Sequence, residues 1–192
     1  MKTLFMLILL CASSYAADIA TNSAPVTQRQ QQQYDQAITN LDKATTEEAR
    51  FYALDHAAKE SFVVGKIEDA RKYAKELMTL APKFKENWNY GNAIQDFNLV
   101  LGRIAVKEEH LNEAKQFLLE AGKSPGSPQM NSFGPNMSLA KDLLQKGEQK
   151  VVLEYMELCR KFWGKYDFGN LDKWEKEIKE GKIPNFGANL VY

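Results

Sequence analysis

The side chains that do most protein chemistry are sparse here: two histidines, His56 and His110, and two cysteines, Cys11 and Cys159, in 192 residues. A helical zinc site needs a second histidine near the first, and His56 is followed only by Ala57-Ala58-Lys59. A cysteine nucleophile needs an activating histidine, and only His56 and His110 exist to serve Cys159. His110 stands beside Glu108 and Glu109 and reads as a solvated loop group. The Glu47-Glu48 pair is explained by helix capping and the helix dipole. Asp167-Phe168-Gly169 mimics a kinase triplet, but no glycine-rich phosphate loop or catalytic-loop motif accompanies it. Trp88, Trp163 and Trp174 read as packing anchors rather than sugar-stacking platforms. The expectation is a noncatalytic chain without a metal or cofactor.

The elements that would position a binding surface are legible as a repeat. A helix-helix unit recurs three times, anchored by Gly65, Ala70 and Leu77, by Glu109, Ala114 and Ala121, and by Gly147, Val152 and Cys159. Each triplet keeps offsets of five and seven, and Tyr73, Phe117 and Tyr155 all fall three residues after the middle anchor. Such a register predicts stacked helical hairpins. Cys159 shares its position with Leu77 and Ala121, so it reads as a small core residue.

The first residues form an export signal: Lys2, an apolar stretch from Leu4 to Ala12, and Ser14-Tyr15-Ala16 before a cleavage point at Ala17. That stretch is too short to span a bilayer comfortably, and Leu10 before Cys11 disfavours a lipoprotein. Cleavage removes Lys2 and Cys11, leaving a single cysteine and one more acidic than basic side chain. The expected location is the periplasm or the extracellular space. Near-neutral charge argues against a nucleic-acid or membrane-surface role, and no later stretch approaches transmembrane length.

Along the chain, residues 17–32 read as a flexible polar linker that turns into helix. Ala37 lies thirty-three residues before Ala70 and, with Leu41, marks an N-terminal half-repeat. Thr45-Thr46-Glu47-Glu48 carries a capping-box pattern that starts a helix near Thr46, which Gly65 ends. The next helix stops at Pro82. Residues 85–94 exceed the repeat period and either lengthen the following helix, 93–106, or fold over the hairpin seam. Residues 122–128 form a loop between the second and third hairpins, and Leu171, Trp174 and Ile178 line a capping helix. Residues 183–192 read as a tail packed on the last hairpin, which leaves 33–182 as the repeat domain.

Gly65, Ala70, Leu77 and Pro82, with Leu101-Gly102 followed by Ala114, resemble the tetratricopeptide repeat over about residues 33–166. In that family small residues such as Ala58 and Gly102 let two helices of a hairpin approach. Leu54, Asn98 and Asn136 stand where the family has tryptophan, and the anchors are spaced by 44 and 38 residues. Residues 127–144 also look like a stretch shared by exported bacterial proteins, with no activity implied. The resemblance implies an all-α fold, a right-handed solenoid of about three helical hairpins with a C-terminal capping helix.

It also implies a concave groove lined by Tyr52, Asp55, Lys59 and Phe62, by Asp96, Leu99, Arg103 and Val106, and by Gly134, Met137, Lys141 and Leu144. Lys59, Arg103 and Lys141 would then form a ladder of cations gripping a peptide carboxylate or acidic segment of a protein partner. The expected function is an exported protein-protein interaction scaffold. Two alternatives stay open: a small envelope enzyme or carbohydrate-binding protein using Trp88 and Tyr90, and a structural subunit whose tail, 186–192, docks into a neighbour.

Overall fold

Three helix-to-helix turns share one backbone solution in the computed structural model, which describes residues 25–190. Helices α2 (Glu47–Val63) and α3 (Ile67–Leu80), α4 (Tyr90–Lys107) and α5 (Leu111–Gly122), and α7 (Ser138–Gln145) and α8 (Gln149–Trp163) are joined by connections of three residues. In each, the amide two residues past the cap donates five residues back: Lys66 to Ser61 (2.8 Å), His110 to Ala105 (2.9 Å) and Glu148 to Leu143 (3.0 Å). That bond requires a left-handed residue just before it, supplied by Gly65 (φ 80°), Glu109 (φ 59°) and Gly147 (φ 82°). These are the first anchors of the three triplets. Glycine adopts this conformation without a Cβ penalty; Glu109 adopts it despite one.

The remaining helices are α1 (Gln28–Asp42), α6 (Pro128–Phe133) and α9 (Asn170–Lys179), with 3₁₀ turns at Ala81–Phe84 and Gly187–Leu190 and no strand among the described residues. Consecutive helices α1 to α4 pack on one another, and the leading helices α2, α4 and α7 also touch in that order. No helix among the described residues is long and apolar enough to cross a membrane.

Two apolar cores meet at α4. One holds Phe51, Leu54, Leu77 and Ile104; the other holds Leu118, Leu139, Tyr155, Cys159 and Trp174. The small residues sit at close approaches: Ala58 is buried, and a Cβ on Gly102 would lie 2.3 Å from Leu139 Cδ2 and 3.1 Å from Phe117 Cβ. Gly102 therefore spaces α4 from α7 of the next hairpin as well as from its own partner α5. Cys159 is fully buried and its thiol is pushed up by desolvation.

Several expectations need correction. Helix α1 starts at Gln28, inside the expected linker, because Thr27 and Gln30 form a complete capping box in which Gln30 N donates to Thr27 Oγ1 (3.2 Å) and Thr27 N to Gln30 Oε1 (2.9 Å). At α2 the cap is Thr46 alone, accepting from Ala49 N at 3.1 Å; the third helical position is Ala49, so Glu48 returns no bond. Residues 85–94 do both things foreseen for them: α4 starts early, at Tyr90, and Trp88 folds against Tyr52 across the hairpin. The loop 122–128 ends in an unforeseen short helix, α6, capped by Ser127. Helix α7 begins only at Ser138, so Gly134 and Met137 do not lie along a helix face; Gly134 (φ 90°) ends α6 and Met137 is fully buried.

Phe186 is buried against Trp174 of its own chain, with ring centroids 5.0 Å apart, so its ring is not available to a neighbour. Asp167 holds the start of α9 by accepting from Leu171 N (3.0 Å), a structural use of the Asp-Phe-Gly triplet. The expected export signal, residues 17–24 and the last two residues lie outside the described residues.

Candidate functional site

Helix α2 places Tyr52, Asp55, His56 and Lys59 on one face, and α4 opposes them with Asn92, Gln95 and Asp96. Spacings of three and four residues put such side chains on a common stripe. With Trp88 on one rim and α6 and the C-terminal turn on the other, these residues enclose a cavity of about 530 Å³. A second cavity of about 450 Å³ continues along α2 and α4, bounded by the start of α1 and by Phe62, Leu99 and Arg103. Lys59 and Asp96 line both.

The wall between α4 and α6 is a network of fixed amides. Asn92 Nδ2 donates to Asn89 Oδ1 and to Gln129 Oε1, both at 2.7 Å, while Ser127 Oγ donates to Asn92 Oδ1 at 2.6 Å. Deeper, Gln95 Nε2 donates to Tyr155 Oη (3.1 Å), whose hydroxyl donates to Asn136 O (2.9 Å). Asn189 Nδ2 closes the far rim by donating to the carbonyls of Phe133 (3.0 Å) and Pro135 (2.9 Å). Asn92, Gln95 and Ser127, buried and so bonded, hold their geometry in advance of any ligand. The aromatic wall is more open: Trp88 is 55% exposed with its ring 6.0 Å from that of Tyr52, and Phe133 is 75% exposed.

At the junction of the two cavities Lys59 Nζ bridges two buried carboxyls, 3.0 Å from Asp55 Oδ1 and 3.2 Å from Asp96 Oδ2. Burial, and then the charge of Asp55, push Asp96 well above the ordinary aspartate value of 3.8. Burial also acts on Asp55, but Lys59 and a hydrogen bond shared with Asp96 outweigh it and leave that carboxyl below its usual value. Desolvation works against the Lys59 ammonium, and the two carboxylates more than offset it, so its proton is held tightly. The two carboxyls are thus pushed apart, with Asp96 holding its proton more tightly than Asp55.

The expected cation ladder is thus engaged within the chain at two of its three rungs. Arg103 Nε lies 2.7 Å from Asp142 Oδ2, with its guanidinium 4.6 Å over the Phe62 ring. Lys141, half-buried on α7, lines neither cavity. Tyr52, Asp55 and Lys59 meet in the first cavity; Lys59, Phe62, Leu99 and Arg103 meet in the second; Val106 and Leu144 are buried in the core, and Gly134 reaches the first cavity from a turn. No group of three His, Cys, Asp or Glu side chains among the described residues is placed to hold a metal ion.

No family model, curated protein or solved structure matches the chain. The site therefore stands on its own geometry. His56, Asn92, Gln95, Gln129 and Asn189 belong to it and had no sequence motif to announce them. The amides at Asn89, Asn92 and Gln95, within and just before a helix that is buried over most of its length, were the available signal, since amides on a buried helix face must find partners.

Opposite proton linkages give the cluster a testable pH signature. Asp96, with its raised value, contributes stability that is complete below pH 3.8 and is lost as pH climbs toward its folded value. Asp55, with its lowered value, contributes stability present above 3.8 and lost on acidification. Asp96→Asn is expected to flatten the fall in melting temperature that this group should give the wild type as pH rises above 3.8. Parallel wild-type and variant profiles of melting temperature against pH would refute the raised value of Asp96.

Proposed function

We propose that this chain is an exported, noncatalytic binding module, a tetratricopeptide-like right-handed stack of helical hairpins that takes a peptide or protein segment along α2 and α4. The observation that carries this reading is that two cavities lie in succession along α2 and α4 and share Lys59 and Asp96 in their walls. Their lining on α2 runs from Tyr52 to Val63, about 16 Å of helix, which matches about five residues of extended chain. Fixed amides and an aromatic rim suit a backbone with side chains alternating to either side. The hairpin-stack part of the proposal is supported by the shared left-handed turn at Gly65, Glu109 and Gly147 and by the leading helices touching in order. Export rests on the leader-like pattern from Lys2 to Ala16.

The internal pairing of Lys59 and Arg103 shifts the reading of the partner away from an acidic grip. A carboxylate entering the first cavity would meet Asp55 as well as Lys59.

A carbohydrate-binding or enzymatic alternative is favoured by the exposed Trp88 ring beside Tyr52. Against two-carboxylate glycoside hydrolysis, Asp55 and Asp96 are close enough to share a hydrogen bond, whereas such catalysts hold their carboxyls about 5 Å or more apart.

Peptide display against the purified chain, counter-selected with Trp88→Ala, tests the proposal. Selected peptides should bind the variant at least about tenfold more weakly, near the loss expected on removing an aromatic anchor. Peptide binding indifferent to Trp88→Ala would remove the ligand from this trough. Hydrolysis of a polysaccharide by the wild type would establish the enzymatic alternative.

A further inference from the structure

The first cavity has a charge imbalance built into its inner wall. Asp55 and Asp96 are both buried there against one ammonium, Lys59, so the cluster is one positive charge short when both carboxyls ionise. Buried charge persists only when compensated, and burial together with the charge of Asp55 raises the hold of Asp96 on its proton. A ligand cation would supply the positive charge that two buried carboxyls on one ammonium lack.

The surroundings favour such a cation. His56 joins Asp55 and Lys59 from α2, and Asp96 comes from α4; α6 and the C-terminal turn contribute Gln129, Phe133 and Asn189, none of them charged. Arg29 and Arg103 line the second cavity instead, and Arg103 is already paired with Asp142. The rings of Tyr52 and Trp88, tilted at 30° with centroids 6.0 Å apart, offer faces that attract a cation entering from solvent.

From the two buried carboxyls, the single lysine between them and the aromatic rim, we infer that the first cavity accepts a cationic side chain, the lysine or arginine of a bound peptide segment. This rests on the peptide-binding reading above and names the side chain that reading leaves open. Lys59 stays bonded to both carboxyls, and the incoming cation occupies the cavity between them and the Trp88 rim.

The test uses immobilised octapeptide pools, randomised except for one central residue fixed as lysine, arginine, norleucine or glutamate. The full chain, Asp96→Asn and Trp88→Ala are passed over each pool, with helicity checked by circular dichroism. Retention on the lysine and arginine pools should exceed that on norleucine and glutamate at least about tenfold, and should fall toward parity in both variants. Equal retention on all four pools would overturn the cationic inference while leaving peptide binding intact; retention on none would overturn both. An undiminished basic preference in folded Asp96→Asn would also overturn it, and if that variant fails to fold, Trp88→Ala decides by the same criterion.

Discussion

Lys59→Met is expected to destabilise the protein by about 3 kcal/mol, at the lower end of the range for removing one partner from a buried ion cluster. Methionine matches most of the lysine stem in length, so the packing along α2 survives and the loss isolates the ammonium. What remains is a pair of buried carboxyls with no counter-charge. The lower end applies because the Lys59 side chain is 20% exposed and solvent screens part of its field. Adding Asp55→Asn to the methionine variant should restore most of the loss, since it removes the charge left behind. Urea denaturation of the wild type, both single variants and the double variant measures the coupling. A single-variant cost below about 1 kcal/mol would mean that the cluster is solvated and does not bind α2 to α4.

Gly91→Ala is expected to cost about 3 kcal/mol, where an alanine replacing a helical glycine ordinarily stabilises by up to about 1 kcal/mol. The reversal comes from space. A Cβ at Gly91 would lie 1.8 Å from Gly126 O and 2.4 Å from Gly126 C, backbone atoms with no flexible end to swing aside. Ser124 Oγ also donates to Gly91 O at 2.7 Å, so the loop is pinned against α4 at that point. Displacing it would pull Ser127 from Asn92 and open the wall of the first cavity, so ligand affinity should fall along with stability. Gly65→Ala is the control: its φ is 80° but nothing lies within 4 Å of the added Cβ, so only the left-handed backbone penalty of about 1 kcal/mol applies. If denaturation gives Gly91→Ala a cost no greater than that of Gly65→Ala, the loop yields and the wall is not rigid.

The parts of this molecule that were legible from sequence are those written in short-range chemistry. Gly65 and Gly147 announce their turns because a left-handed residue is needed there, and Glu109 could be placed only by its register with them. Pro82 and the spacing of Ala70, Ala74 and Leu77 bound and face α3 by local rules alone. Local rules also misled: the box pattern at Thr45 to Glu48 pointed one residue too early for its return bond, while the complete box at Thr27 lay inside a glutamine-rich stretch that resembles a linker.

The sequence by itself determined an all-helical chain, the turns of its three hairpins, the burial of Cys159 and the faces on which Tyr52, Asp55 and Lys59 lie. Only the tertiary structure decided what those faces meet. Asp55 and Asp96 are 41 residues apart, Arg103 and Asp142 are 39 apart, and Asn189 closes a rim begun by Trp88. Helical periodicity states which side of a helix a charge occupies, but the sign and distance of its neighbour depend on how α2, α4 and α7 are juxtaposed. Electrostatic energy depends steeply on that distance and on the water excluded around it. A row of cations apparent in one dimension thus became, in three, a lysine between two acids at the junction of two cavities.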